Sequence, residues 1–263
     1  MNQHTADKLS TLTNEIHVAS PLDTSAMLEN YLKYVQRALK ASSVSWIAGY
    51  RGQHTDDSWR VELLDGWKIM DQVTPGKSAQ DLKANEAEYY EKARAAGVDP
   101  MTQHAIHNAG KTRTHREAEL DAVLSEHWIK SEFLAKLGVG DRVLGVFNLD
   151  AEAESYLVVD RSPFDEPFTR DDERELYRCL IEFPRVHYWL FLERGLLARN
   201  KKPCSPRHRD LIPLLLSGKT EREIANQLDL TVGTTHSYVI DIYRNYGVKS
   251  RAELSSLWIS KIQ

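Results

Sequence analysis

Residues 205–262 carry helix starts and stops so closely spaced that they admit little besides a bundle of short helices. Ser205 precedes Pro206, a capping hydroxyl followed by proline at the first helical position, where the missing N–H costs nothing. Thr220 and Glu223 have the spacing of a capping box, in which the hydroxyl accepts from one orphan backbone N–H and the carboxylate reaches back to another. Ser250 and Glu253 repeat it, and Thr231 caps the helix between. Gly218 and Gly247 stand where helices should stop.

The helix expected over 231–246 has two unlike sides. Thr235, Val239, Ile242 and Tyr246 recur at helical spacing and form the side to be buried. The opposite side carries Thr234, Ser237, Ile240, Asp241 and Arg244, flanked by His236 and Tyr238. Ile224, Ala225 and Leu228 of the preceding helix supply the apolar partner. Two short helices joined by a tight turn, the second polar outside, make a helix-turn-helix.

On these residues the segment resembles the C-terminal DNA-binding domain of LuxR/GerE-type bacterial regulators. The matching pieces are Ser205-Pro206-Arg207 with Arg209, Gly218, Glu223-Ile224-Ala225, Leu228, Thr234, Tyr243-Arg244, Gly247-Val248 and Ser250-Arg251-Ala252-Glu253-Leu254. The resemblance covers about a fifth of the chain. It departs at His208, where Glu is usual, and at His236, Ile240 and Asn245, where Lys or Arg is common. It implies double-stranded DNA as a partner, with the helix over 231–246 in the major groove. Thr234, Ser237 and Arg244 are then the expected base contacts, with His236 and Tyr238 beside them. Lys219, Arg222, Lys249 and Arg251 are expected to hold phosphates and set the register.

Charge is divided in the same way. Residues 200–263 hold 10 Lys and Arg against 6 Asp and Glu, whereas the whole chain of 263 residues has a net charge of −4. A basic tail on an acidic body suits DNA binding by the tail alone. The length allows one large or two ordinary domains. The apolar run at 188–192 is too short to span a bilayer, and the first 20 residues lack the apolar core of a signal peptide. Cys179 and Cys204 are too few for a disulfide framework or a zinc site, so a reducing cytoplasm is expected.

The first 199 residues read as helices and strands in layers. A helix is expected over 25–40, a strand over 44–50, and further strands over 59–64 and 66–69. A helix over 79–96 follows, then one opened by Asp99-Pro100 and helical stretches to 137. A strand over 142–149 has its hairpin partner at 154–161, and a long helix kinked at Pro184 runs from 170 to about 198. This order predicts the α+β class, a five- or six-stranded antiparallel sheet covered by helices. It is similar to GAF- or PAS-like sensor domains, which often precede LuxR-type helix-turn-helix domains. That similarity implies a small-molecule pocket between sheet and helical cover, with Trp46, Trp59, Trp67, Phe147 and Tyr156 as candidate lining residues. The expected division is 1–199 for sensing and dimerisation and 200–263 for DNA. Val186 and Tyr188 to Leu192 spread apolar surface over more than one helix face, which marks that stretch as the expected interface of a homodimer.

Other chemistry is weaker. Ser217-Gly218-Lys219-Thr220 mimics the end of a phosphate loop, but Pro213 occupies the place of its leading glycine. Gly138-Val139-Gly140 precedes a strand instead of following one. The parallel alternation of a phosphate-accepting receiver domain is missing. Trp59, Trp67, Tyr89, Tyr90 and Asp99-Pro100 resemble the aromatics and Asp-Pro of acyl-homoserine lactone sensors, yet no Trp follows Asp99-Pro100 until Trp128. His104, His107, His115 and His127 with Asp99 complete no metal-ligand spacing and read as solvated or hydrogen-bonded histidines. No cofactor, metal or catalytic constellation is expected. The alternatives are an enzyme-like or metal-binding N-terminal half with a DNA-binding tail, and an adaptor that holds no ligand.

Overall fold

Strand β1 (Ser43–Arg51) of the N-terminal unit is paired along both of its edges. With β2 (Trp67–Val73), β3 (Arg113–Arg116), β4 (Asp141–Asn148) and β5 (Ala153–Arg161) it forms a five-stranded sheet ordered β2-β1-β5-β4-β3, every pair antiparallel. This is the α+β architecture that the element order predicts. The structure, a computed structural model, describes residues 10–16, 20, 22–51, 63–200 and 202–260. Trp59 and most of the strand expected at 59–64 lie outside the described residues. Leu64 bridges Trp67 around a turn in which Asp65 and Gly66 both take positive φ, 51° and 83°, the geometry of a two-residue hairpin loop.

Register decides which side chains share a face. Ser43 pairs with Asp160 and Tyr50 with Ala153, so Val44, Trp46, Ala48 and Tyr50 lie on one face with Leu157 and Val159. Val143, Gly145 and Phe147 join them from β4. Helix α1 (Thr24–Ala38) and a later helix, Arg170–Glu182, are tied together by the Tyr31 hydroxyl, which donates to the Cys179 carbonyl at 3.1 Å. The later helix rests on this face: a Cβ at Gly145 would stand 3.0 Å from Leu176 Cγ. The opposite face carries Ser43, Ser45, Ile47, Arg142, Leu144, Val158 and Asp160. Its cover includes α2 (Ala79–Ala96), α3 (Pro100–His107) and the segment from Glu117 to Val139.

Strand β3 stands where the sequence points to helical stretches. Its inward residues are Arg113 and His115, so it shows no apolar alternation. Arg113 is buried because Glu154 Oε1 and Oε2 accept from its guanidinium at 2.7 and 2.9 Å. Glu154, fully buried, also accepts from Gly110 N–H and the Tyr156 hydroxyl. A buried charge is tolerated only with such pairing.

The long helix expected over 170–198 is two helices, α4 (Arg170–Glu182) and α5 (Pro184–Glu193). Pro184 has no N–H to continue the ladder, and Phe183 leaves the helix at φ −122°, ψ 56°. Contacts group the chain into two compact units, Met1–Thr13 with Tyr31–Glu182, and Asn14–Asn30 with Phe183–Gln263. In the second unit α5 accompanies α6 (Pro206–Leu216), α7 (Glu221–Gln227), α8 (Val232–Tyr246) and α9 (Arg251–Ser260). Val186, Trp189, Leu190, Phe191 and Leu192 are buried in the single chain. Trp189 Nε1 donates to the Trp258 carbonyl at 3.0 Å and the Tyr246 hydroxyl donates to the Leu192 carbonyl. Apart from half-buried Tyr188, the apolar surface expected at a dimer interface is therefore enclosed by its own chain. Among the described residues no helix is long and apolar enough to cross a membrane.

Candidate nucleic-acid interface and small-molecule cavity

Helix α7 starts at a complete capping box. Thr220 N–H donates to Glu223 Oε2 at 2.7 Å and Glu223 N–H donates to Thr220 Oγ1 at 3.3 Å. The turn after α7 is kept tight by Asp229, which takes φ 53°. Thr231 Oγ1 then accepts from Thr234 N–H at 3.1 Å, and Gly247 ends α8 in the left-handed conformation at φ 67°. Thr235, Val239, Ile242 and Tyr246 are all buried. Most of the other side chains of α8 are exposed.

On that outward side Thr234, His236, Ser237, Ile240, Asp241 and Arg244 are exposed and Tyr238 is half-buried, its ring edge-on to His208. Several polar groups there already have partners. His236 Nδ1 lies 3.1 Å from Glu221 Oε2, Arg244 donates to Asp241 Oδ1 at 2.8 Å, and Ser237 Oγ donates to the Gly233 carbonyl at 3.1 Å. Arg222 and Lys249 are exposed, and Lys219 and Arg251 half-buried.

Within the N-terminal unit a cavity of about 230 Å³ lies between the sheet and its helical cover. One part is apolar, with Leu124, Ile129, Phe133, Leu134, Val139 and Leu144. The polar part is built from three arrangements. Arg142 donates to Asp160 Oδ1 and Oδ2 at 2.7 and 3.0 Å; Ser45 Oγ lies 2.7 Å from Thr74 Oγ1; and the Tyr89 hydroxyl donates to Asp99 Oδ2 at 2.6 Å. Glu117 also lines the cavity. Lys130 occupies its Oε1, but Oε2 is buried without a hydrogen-bond partner. Burial pushes the Glu117 carboxyl above its ordinary value, against the pull of Lys130.

The aromatics named from sequence are placed otherwise. Trp46 and Phe147 lie on the face packed by α4, where Trp46 Nε1 donates to Ser155 Oγ at 2.8 Å. Trp67 is buried and Tyr156 is held by Glu154, and neither lines the cavity. Trp59 lies outside the described residues. The lining residues that sequence reasoning passed over, Ser45, Ile47 and Arg142, alternate with Trp46 and Val143. That alternation was the available signal.

Residues 202–257 match the GerE family, the bacterial regulatory proteins of the luxR family. This stretch is a LuxR-family domain. No curated protein matches the chain in sequence. Among solved structures, SdiA in complex with octanoyl-rac-glycerol is 14% identical, with 99% of this chain and 96% of that chain covered and a TM-score of 0.46. Escherichia coli SdiA in another crystal is also 14% identical, with 96% of each chain covered and a TM-score of 0.46. The VqsR LBD domain from Pseudomonas aeruginosa is 12% identical, covering 69% of this chain and 99% of that chain at a TM-score of 0.41. Likenesses this loose transfer neither ligand nor site.

The LuxR-family domain is laced to the segment that enters it. Asn200 N–H donates to the Asn245 carbonyl at 3.0 Å, and Asn200 Nδ2 to the Arg244 carbonyl at 2.8 Å. Asn245 Nδ2 donates to the Lys202 carbonyl at 2.7 Å. Asn245, which replaces a residue more often cationic, thus serves the end of α8 instead of projecting a charge. The histidine pair His104 and His115 packs edge to face at 4.4 Å. Among the described residues no group of three His, Cys, Asp or Glu side chains is arranged to hold a metal.

Proposed function

We propose that this chain is a sequence-specific transcription regulator that binds double-stranded DNA through α8 and answers to a small molecule held in its N-terminal unit. The observation that carries the reading is the LuxR-family domain, whose α8 is capped at both ends, buried along one stripe and exposed along the other. Such a helix enters a major groove with its outward side chains on base edges, while Lys219, Arg222, Lys249 and Arg251 hold phosphates. Thr234, His236, Ser237, Tyr238 and Arg244 are the proposed groove residues. DNA as a partner supports the bacterial cytoplasm as its location. A single domain of this kind presents a small interface, so we also propose that it acts as a homodimer on two half-sites.

The cavity supports a ligand over a filled, vestigial core. An apolar wall beside Glu117 Oε2 and the Arg142–Asp160 pair suits an amphipathic molecule carrying an N–H or O–H donor. Two measurements test the reading. Fluorescence anisotropy of the full chain on random duplexes should show affinity falling steeply with salt, with slopes set by the phosphates neutralised. Native mass spectrometry of freshly purified protein should show retained small-molecule mass and a dimer. Salt-independent or absent DNA binding would remove the first half of the proposal, and a ligand-free protein that resists added amphiphiles the second.

A further inference from the structure

We infer that α8 reads a thymine 5-methyl group with Ile240, and that Gly233 lets the helix backbone approach the bases closely enough for it to do so; the inference rests on the DNA-binding reading above. Gly233, Ser237, Ile240 and Arg244 follow one another at spacings of four, three and four residues and form one exposed stripe along the outward side. Two members of this stripe are unusual for a solvent-facing helix.

The first is Gly233. Gly233 is the second residue of α8, and even in a first turn glycine surrenders more backbone freedom than alanine. Among the described residues nothing requires it. Its φ is not positive, and a Cβ built on it would meet only Thr231 Oγ1, at 3.9 Å. The remaining reason for glycine is room for something outside the chain to come against the backbone.

The second is Ile240, 42% exposed on the same stripe. A lone exposed isoleucine needs no explanation by itself. Its surroundings supply one. Ser237 is turned back to Gly233, His236 faces Glu221 and Arg244 faces Asp241, so Ile240 is the aliphatic member of this stripe, set among self-paired polar groups; Val232, also exposed, lies at the start of the helix. In the major groove the thymine methyl is the apolar feature of the base edges. A cytosine in its place would set an amino donor against Ile240, which has no acceptor to offer. Methyl against isoleucine is therefore a discriminating contact, and a Cβ at position 233 would hold the helix away from it.

The test uses the full chain on duplexes selected from a random pool, with dU replacing each dT in turn, which removes only the methyl. At one position the replacement should weaken binding about fourfold, the worth of one buried methyl group. Ile240→Ala should bind the dT and dU duplexes alike. Gly233→Ala should melt at a higher temperature than the parent yet bind the selected duplex more weakly, an opposition that a purely structural glycine would not show. Equal binding of dT and dU duplexes by the parent at every position overturns the role of Ile240, as does an unchanged dT preference in Ile240→Ala. Unchanged binding by Gly233→Ala overturns the close approach. Failure of the parent to bind unselected duplexes even at low salt overturns the DNA-binding reading itself, so the two failures are distinguishable.

Discussion

The Tyr89 hydroxyl donates to Asp99 Oδ2 at 2.6 Å while Asp99 Oδ1 accepts the backbone N–H groups of Met101 and Thr102 at 3.0 Å each. One buried carboxylate thus caps α3 and anchors α2 beside the cavity. Burial and the Asp99 charge hold the Tyr89 hydroxyl well above its ordinary pKa, so it remains a donor. Asp99→Ala removes the cap and strips the tyrosine of its strongest acceptor. It should cost ~2–3 kcal/mol in urea unfolding of the full chain, and Tyr89→Phe about 1 kcal/mol.

Acid should loosen the N-terminal unit through His115. Burial, with His104, Arg113 and Lys111 adding positive charge, lowers its pKa to about 4, and its buried Nε2 has no partner to share a proton. An unfolded chain takes up that proton near its ordinary value of 6.5. Between the two values the unfolded state binds more protons, so the stability this neutral histidine preserves is present above 6.5 and lost as pH falls towards 4. Melting temperature should fall over that window, and His115→Phe should flatten the fall. Parallel pH profiles for the two proteins would exclude His115 as the cause.

Arg244 is 71% exposed at its side chain and, among the described residues, its ion pair is with Asp241, three residues earlier. Losing so exposed a pair should change stability by ~0.5 kcal/mol or less. Arg244→Ala should still weaken binding to selected DNA by ~1–3 kcal/mol if the guanidinium spans a base edge. A loss of equal size on every duplex would assign Arg244 to a phosphate, and no loss would remove it from the interface.

Enclosure of α5 reverses the outcome expected of a dimer helix. Leu190 and Phe191 are at most 1% exposed. Leu190→Ala should cost ~2–5 kcal/mol, as truncation in a packed core does, with the lost stability visible at every protein concentration. If sedimentation instead showed stably folded monomers of Leu190→Ala beside a dimeric parent, the helix would belong to an interface after all.

Short-range chemistry was legible from residues alone. The caps at Ser78, Asp99, Ser205, Thr220 and Thr231 depend on a side chain and a backbone N–H a few positions apart, and the structure contains every one. Ser78 carries the same local signal, since Asp81 completes its capping box. The buried stripe of α8 was equally plain, because one period places all four residues on one side. Strand β3 was not, since its inward Arg113 and His115 look like surface residues until Glu154, 41 positions away, is brought against the arginine.

What the sequence determined by itself was each element's own geometry, its ends and its two-sidedness, because those follow from contacts within a few residues. It could show that Trp46 and Ile47 face opposite ways in one strand. Which of the two faces would be closed by α4, with Leu176 against Gly145, and which would keep a cavity under α2 and α3 was decided by tertiary packing. The same holds for α5, whose all-round apolar surface is compatible with a second subunit or with its own core. Its enclosure depends on residues such as Trp258, far along the chain, and no local period records which surface reaches it first.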